Sequence, residues 1–268
     1  MANLGSILLV GCGKMGSALM AGWIDRGRSP AAIFVVDPAG PSVPDGVTVG
    51  ATIADVPEGF HSSVVVLAVK PQVMDDVAGS YRDYVGADTV FLSIAAGRNV
   101  LSFENLLSSE ASIVRAMPNT PAAVGRGITV LFANPHVSVA QRQTCEALMS
   151  AVGKVAWIED EGLMDAVTGV SGSGPAYVFN LVEAMAKAGV DAGLPNDLAM
   201  LLARETVTGS GELLAQSAET ASTLRENVTS PGGTTAAALD VLMSDDGLTR
   251  LMTRAILRAT ERSRELAG

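Results

Sequence analysis

Histidine and cysteine are both scarce in this sequence, which has two of each among 268 residues. Cys12 and Cys145 lie far apart, and neither belongs to a CxxC or CxxH pattern. This argues against a disulfide framework and a zinc site, so no metal is expected and a reducing, cytoplasmic location fits best. His61 and His136 fall in predicted surface loops, so neither is placed as the general base that a lactate-type dehydrogenase needs.

Lys and Arg are also too few to balance Asp and Glu, so the net charge is -10. Where Lys and Arg do cluster, Glu residues lie among them. Nucleic acid and anionic membranes are therefore not expected as partners. No apolar run approaches the roughly 20 residues of a membrane span. The first run, residues 7–10, is too short for the core of a signal peptide and lacks a basic leader. The sequence predicts a soluble protein.

Aromatic residues make up only 4% of the chain, a composition that favours packed helices and parallel strands over a β-sandwich. Through the first 160 residues, short β-branched runs alternate with helical patterns. Strands that are apolar on consecutive residues predict a sheet covered on both faces. We therefore predict a doubly wound α/β domain over residues 1–160. Its strand-like runs are SILLV, IFVV, VVVLAV, TVFLSI, SIVRAM, ITVLFA and KVAWIE.

After about Glu161 the strand pattern disappears, and long segments rich in Ala, Leu and Met follow. Apolar residues recur there at three- and four-residue spacing, which predicts an all-helical domain over residues 161–268. Because the segments are apolar on several faces, we expect them to be buried against another subunit. They cover residues 176–188, 195–215 and 235–267, the last with a break at 245–247.

The stretch SILLVGCGKMGSALM places Gly11, Gly13 and Gly16 in GxGxxG spacing between a strand and a helix. In this pattern the first glycine permits a tight turn, the second lets the backbone approach a pyrophosphate, and the third allows close helix–strand packing. The second strand ends in Asp37, roughly 20 residues further on, where a carboxylate accepts hydrogen bonds from an adenosine ribose. The pattern predicts a Rossmann-type dinucleotide site.

The coenzyme preference stays open on these residues. No Lys or Arg lies between Asp37 and Lys70, whereas a 2′-phosphate normally requires an Arg in this region. NADH is therefore favoured over NADPH. A phosphate site built from the backbone or from Ser42 and Thr48 would reverse that preference.

Three further strand ends are followed by small or kinked loops, in VVVLAVKPQ, SIAAGRNV and RAMPNTPAAVG. Ligands in open α/β sheets bind outside the carboxyl ends of the strands, so these loops are predicted to line the cofactor crevice. Lys70 and Pro71 form the first turn. In the third loop, Pro118 and Pro121 fix the backbone while Asn119 offers an amide to the nicotinamide region.

The segment TSPGGTT precedes a strongly helix-forming run. Ser230 as the N-cap and Pro231 as the first helical residue would gather the amides of residues 232–235 at the positive end of a helix. The two glycines would admit a ligand carboxylate close to the backbone. The hydroxyls of Thr234 and Thr235 would add neutral donors. This predicts a pocket for a small carboxylate beside a group that can hydrogen-bond a ring nitrogen.

The longer string LRENVTSPGGTTAAALDVL resembles the signature of the pyrroline-5-carboxylate reductase family. GCGKMG, AVKPQ, SIAAG, RAMPNTP, DAVTGVSGSGPAYVF, AGVDAGLP and RSREL resemble the family in the same order and span nearly the whole chain. The resemblance implies reduction of 1-pyrroline-5-carboxylate to L-proline, the last step of proline biosynthesis, with NADPH or NADH. It also implies a Rossmann domain followed by a helical dimerisation domain, in homodimers that often join into larger rings. A cationic C=N bond as hydride acceptor suits a chain without a strong acid or base.

The patterns and the resemblance together assign roles to individual residues. Thr235 would face the imine nitrogen as the catalytic residue, and Ser171 would lie beside the active site, with tight backbone packing as its alternative role. Ala54 and Asp55 stand where the family often has an Asn near the adenine, which also leaves the coenzyme open. The predicted substrate residues are Ser230, Gly232, Gly233, Thr234, Thr235 and Ser171. The predicted cofactor residues are Gly11, Gly13, Lys14, Met15, Gly16, Asp37, Ala68, Val69, Lys70, Pro71 and Asn119.

Two other functions compete with this interpretation. A β-hydroxyacid dehydrogenase also combines a Rossmann half with a helical half, and it uses a lysine on the first long helix of the second domain. Lys187 is on such a helix but about three turns after its start, which is late for a residue that faces the crevice. A dinucleotide sensor without turnover is the second alternative, although a sensor needs no second ligand site such as TSPGGTT.

Overall fold

One mixed sheet organises the N-terminal part of the chain, of which the computed structural model describes residues 5–267. The strand order is β3-β2-β1-β4-β5-β6-β7-β8. The first six strands are mutually parallel, β7 runs antiparallel to β6, and β8 is parallel to β7. The strands are β1 Ser6–Val10, β2 Ile33–Val36, β3 Thr48–Gly50, β4 Ser62–Leu67, β5 Val90–Ser93, β6 Ile113–Met117, β7 Gly127–Ala133 and β8 Gly153–Trp157.

Seven of these strands coincide with the predicted apolar runs, and the doubly wound arrangement is confirmed. The edge strand β3 was not predicted, because its three residues form no apolar run. The strand order reverses between β1 and β4, which pair in parallel with Val10 opposite Leu67. The carboxyl ends of β1 and β4 therefore border the crevice in which open α/β sheets bind ligands.

Helices cover both faces of the sheet. One core cluster packs Trp23 and Leu148 against β1 residues such as Leu9, and the indole Nε1 of Trp23 donates to the Leu148 carbonyl at 3.0 Å. The other cluster includes Phe103 and Tyr81. The helices in this part of the chain are α1 Lys14–Asp25, α2 Met74–Ala78, α3 Val100–Leu106, α4 Val139–Ser150 and α5 Met164–Val167, followed by a π-helical turn, Thr168–Gly172.

The contacts between Cα atoms separate two compact units. The first contains the sheet and ends at Gly172, with the end of the last helix from Ala259 added to it. The second, Ser173–Arg258, is entirely helical apart from its loops. The domain boundary expected after residue 160 remains a prediction. Helices of the second unit are α6 Gly174–Asp191, α7 Asn196–Gln216, α8 Ala221–Asn227, α9 Thr234–Leu242 and α10 Leu248–Ala267, whose final residues belong to the first unit.

Within the helical unit, α6 and α7 pack closely, since a Cβ on Gly189 would lie 3.2 Å from the Cβ of Ala199. The short α8 was not predicted. Many large apolar side chains of this unit are exposed in the single chain; Phe179 is 64% exposed and Leu257 is 56% exposed. Their burial against another subunit remains a prediction. Within residues 5–267, no helix combines the length and the apolar character needed to cross a membrane.

Candidate active site

The glycine loop after β1 has the geometry that its sequence predicts. Gly11 has a φ of +90°, and a Cβ there would lie 2.9 Å from the backbone carbonyl of Ala68 at the end of β4. A Cβ on Gly16 would overlap the carbonyl oxygen of Gly11. Both positions therefore require glycine, one for a left-handed turn and the other for close packing of α1 on the strand.

Gly13 differs from its two neighbours in the motif. It is the N-cap of α1 with an extended backbone (φ −70°, ψ −168°), and no side chain caps the helix. Nothing lies within 4 Å of the place where its Cβ would be, and the first turn of α1 has no acidic residue. Free amides at the positive end of a helix, with open space above them, fit the pyrophosphate of a dinucleotide.

Asp37 follows β2 and is held against the glycine loop. Its Oδ2 accepts the backbone N–H of Cys12 at 2.7 Å, and its Oδ1 accepts that of Ala39 at 2.9 Å. Each carboxylate oxygen keeps a further acceptor site, which suits a ribose hydroxyl. Burial, together with the nearby Asp37 carboxylate, raises the pKa of the Cys12 thiol. The thiol therefore stays neutral at pH 7 and adds no negative charge beside the predicted anion site.

The loops after β4 and β5 are joined by Arg98, a residue that the sequence analysis did not single out. Its guanidinium donates to both carboxylate oxygens of Asp75, at 2.8 and 2.9 Å, and to the carbonyl of Pro71 at 3.1 Å. Lys70 is exposed next to this turn. Arg98 belongs to the SIAAGRN motif, but its partners lie in α2 and in the turn that precedes it, and no sequence pattern predicts that pairing.

Asn119 and Ser171, predicted for the cofactor and the substrate respectively, lie in hydrogen-bond contact. The Asn119 Nδ2 donates to the Ser171 carbonyl at 3.2 Å, and its Oδ1 accepts the Ile128 N–H at 3.0 Å. The Ser171 hydroxyl donates to the Val167 carbonyl at 3.0 Å. Ser171 is part of the π-helical turn, a conformation that is rare and is frequent at functional sites.

The start of α9 corrects one prediction. Ser230 is not the N-cap and Pro231 is not the first helical residue, because the helix begins at Thr234 with Gly233 as its N-cap. The carbonyl of Ser230 instead accepts the Gly233 N–H at 3.0 Å, and Gly232 has a φ of +68°. Pro followed by Gly at the centre of a β-turn is a strongly favoured pair, and here the turn prevails over an earlier helix start.

The local structure therefore explains why both of these positions in TSPGGTT are glycine. Gly232 is left-handed, and a Cβ on Gly233 would overlap the Ser230 hydroxyl oxygen. What remains available to a ligand is the first turn of α9, which no side chain caps. Thr234 is exposed and Thr235 is half-buried, and neither hydroxyl is hydrogen-bonded to the residues that the structure describes. A small carboxylate and a ring nitrogen match these groups.

Comparison with known proteins identifies the family. Residues 161–266 match the family described as pyrroline-5-carboxylate reductase dimerisation, and residues 6–97 match the one described as NADP oxidoreductase, coenzyme F420-dependent. A pyrroline-5-carboxylate reductase of Pseudomonas aeruginosa is 39% identical over 266 residues, 97% of this chain and 96% of that protein. One of Synechocystis is 41% identical over 263 residues, 96% and 97% of the two chains. The chain belongs to the pyrroline-5-carboxylate reductase family.

Solved structures of pyrroline-5-carboxylate reductases share the fold. The Coxiella burnetii enzyme has a TM-score of 0.90 at 35% identity, covering 99% of this chain and 100% of that one. The Plasmodium falciparum enzyme, solved with NADP bound, has a TM-score of 0.82 at 30% identity and covers both chains fully. The predicted family and the predicted fold class are confirmed.

The residues that would support a different chemistry lie on the surface of this reductase family member. His61 and His136 are exposed, as predicted. Lys187, the candidate base of a β-hydroxyacid dehydrogenase, is exposed on α6 and pairs with Asp191 at 3.0 Å. Both cysteines are free and buried. Across residues 5–267, no three His, Cys, Asp or Glu side chains are grouped as metal ligands.

Proposed function

We propose that this chain catalyses the reduction of 1-pyrroline-5-carboxylate to L-proline with NADPH or NADH, the last step of proline biosynthesis. One observation carries the proposal: this member of the family has two uncapped helix starts. The first follows a glycine loop with room for a pyrophosphate, and the second has a free threonine hydroxyl. Neither histidine is placed for acid–base chemistry, and reduction of a cationic imine requires none.

The coenzyme supplies a hydride when it is bound. We place its pyrophosphate on the amides at the start of α1, where Gly13 leaves open space. The carboxylate of Asp37 would accept the hydroxyls of the adenosine ribose. Gly11, Gly13, Lys14, Met15 and Gly16 would form the pyrophosphate loop, and Ala68, Val69, Lys70, Pro71 and Asn119 would line the nicotinamide end.

The substrate carboxylate would bind at the start of α9, of this chain or of a second copy. Helix-terminal amides stabilise an anion there without a basic side chain. The hydroxyl of Thr235 would orient the ring nitrogen. C5 of the protonated imine gains the hydride while the nitrogen keeps the proton it already carries, so the site mainly has to position its reactants. The proposed substrate residues are Ser230, Gly232, Gly233, Thr234, Thr235 and Ser171.

The chain assembles with copies of itself. Its match to the dimerisation family of these reductases and the apolar side chains left exposed on α6 to α10 support this. We propose that the basic assembly is a homodimer, and that dimers join into a higher oligomer. We also propose a cytoplasmic location, which the two free, buried cysteines support.

Absorbance of NADH and of NADPH, followed separately with purified protein, tests this function. We expect oxidation of the reduced coenzyme only when 1-pyrroline-5-carboxylate is present, with proline as the product. Coenzyme binding without such oxidation would support the sensor instead. If the protein instead reduces the oxidised coenzyme with β-hydroxy acids and does not oxidise the reduced coenzyme with the imine, the β-hydroxyacid dehydrogenase function would be supported.

A further inference from the structure

The side-chain amide of Asn119 is bound to the protein's own backbone on both sides. Its oxygen accepts the N–H of Ile128 in β7 at 3.0 Å, and its nitrogen donates to the carbonyl of Ser171 at 3.2 Å. Backbone partners on both sides fix the plane of the amide. The side chain therefore links the end of the sheet to the π-helical turn, Thr168–Gly172.

π-Helical geometry is rare and usually occurs as a single turn within an α-helix, so contacts from outside this turn bear on its position. The hydroxyl of Thr168 donates to the Met164 carbonyl at 2.9 Å, which satisfies an acceptor inside the segment but does not attach it to the sheet. Contacts at its last two residues attach it to the sheet. A Cβ on Gly172 would overlap the Met117 side chain at the end of β6, and Ser171 accepts from Asn119.

The beginning of the same stretch is fixed to the sheet as well. The carboxylate of Glu161 accepts the Val100 N–H at 2.8 Å and forms an ion pair with Arg115 of β6. The Arg115 side chain is only 12% exposed, so the pair is partly shielded from water. Residues 161–172 are thus held at their start by Glu161 and near their end by Asn119. Without the contact to Asn119, the Ser171 carbonyl would lose a hydrogen bond that ties the end of this stretch to the sheet.

We infer that Asn119 is a positioning residue, which holds the π-helical turn and thereby sets the position of Ser171 for the substrate. It acts on the substrate side of the reaction. Because both ends of its amide are already bound to the backbone, its proposed place beside the nicotinamide would rest on its position in the loop, and the amide would add nothing to coenzyme affinity. The catalytic readout of this inference rests on the proposed reductase function, whereas its structural readout does not. Loss of the amide donor should loosen residues 168–172 and weaken substrate use, with the coenzyme bound as before.

The chain offers a matched control at the opposite end of β7. Asn134 also accepts a backbone N–H, from Ile113 at 3.1 Å, and donates to a backbone carbonyl, that of Ala111 at 2.9 Å. Asn119→Asp and Asn134→Asp each keep the accepting oxygen and remove the donating amide. Both variants lose a bond to a backbone carbonyl, but only the first loses it to the π-helical turn. Asn134 also donates to the Glu104 carboxylate at 3.1 Å, so N134D is the harsher change and a stringent control for effects on the turn.

Hydrogen exchange of the full-length protein, measured by mass spectrometry without coenzyme or substrate, gives the structural readout. N119D should speed exchange in peptides covering residues 168–172, and N134D should leave them unchanged. In steady-state assays, N119D should raise the KM for 1-pyrroline-5-carboxylate about tenfold, as expected for one lost hydrogen bond. The KM and Kd of the coenzyme should stay within about twofold of the parent values.

Unchanged exchange in N119D, or a coenzyme Kd that rises together with the substrate KM, would overturn the inference. If the parent protein shows no imine-dependent oxidation, the proposed function fails, while the exchange comparison still decides whether Asn119 holds the turn. Should N119D not fold, Asn119→Ala removes the same donor without introducing a carboxylate. N119A should also raise the substrate KM and spare the coenzyme; an unchanged substrate KM there would count against the inference.

Discussion

Two glycines three positions apart in the α1 loop should respond in opposite ways to the same added methyl group. Gly13 has an extended backbone that any residue adopts, and its Cβ position is open. A Cβ on Gly16 would overlap the carbonyl oxygen of Gly11. Gly13→Ala should therefore act on the coenzyme and Gly16→Ala on the fold.

The expected magnitudes follow from these contacts. Gly13→Ala gains about 0.4–1 kcal/mol from the stiffer unfolded chain and loses a similar amount because Ala is a poorer N-cap, so the Tm should stay within about 4 °C. Its methyl group occupies the space above the α1 amides. If it separates the pyrophosphate from one charged hydrogen bond, worth about 1.5–3 kcal/mol, affinity falls by about 10- to 150-fold.

Gly16→Ala instead forces backbone atoms apart, which typically costs about 1–3 kcal/mol and should lower the Tm by about 2–12 °C. Calorimetric titration with NADH and NADPH and thermal unfolding of the three proteins measure both effects. A folded G13A variant that binds both coenzymes like the parent would refute the placement of the pyrophosphate over Gly13. A Tm for G16A at or above the parent value would refute the close helix–strand contact.

Three further changes test the other parts of the proposal. Thr235→Ala should lower kcat/KM for the imine by about 5- to 150-fold, the cost of one orphaned polar contact, while coenzyme binding is retained. Thr235→Ser should keep most of the activity. Full activity in T235A would show that this hydroxyl is not part of the site. Asp37→Asn should raise the ratio of kcat/KM for NADPH over NADH about tenfold or more, because it removes a charge that repels a 2′-phosphate. Asp45→Asn in the same loop should leave that ratio unchanged. If the ratio is the same in D37N as in the parent, Asp37 does not select the coenzyme. Leu257→Glu, on an apolar face of α10, should shift the assembly towards monomer in light scattering, unlike Leu101→Glu on α3, whose side chain is 61% exposed; an unchanged mass would place the interface elsewhere.

The strands and the glycine loop were predictable because each depends on local residue choice. Runs such as SILLV and VVVLAV are short and apolar on consecutive positions, a pattern typical of strands buried on both faces. Likewise, Gly11 and Gly16 are each explained by contacts that no other residue would permit. The strand Thr48–Gly50 and the helix Ala221–Asn227 were missed since they are too short to show a period.

The residue pairs that hold the predicted loops in place could not be predicted in the same way. Arg98 binds Asp75 and the Pro71 carbonyl, and Asn119 binds Ser171, across separations of 23 to 52 residues. The sequence suggested that Asn119 lies at this edge of the sheet, but it could not show which group its amide meets. These residues meet only once the strands are aligned, and that alignment depends on the tertiary fold and not on the local sequence.

The start of α9 shows how one motif satisfied two local rules. Ser-Pro-Gly-Gly suits a helix that begins with Ser230 as N-cap, and it suits equally a turn with Pro231 and Gly232 at its centre. The turn occurs, so the Gly233 N–H is bound to the Ser230 carbonyl and cannot serve a ligand. The free amides therefore lie one step further along, in the first turn after Gly233, where Thr235 also lies. In the proposed site, the glycines would serve the substrate by forming this turn, and the anion would be bound by the helix start that the turn leaves uncapped.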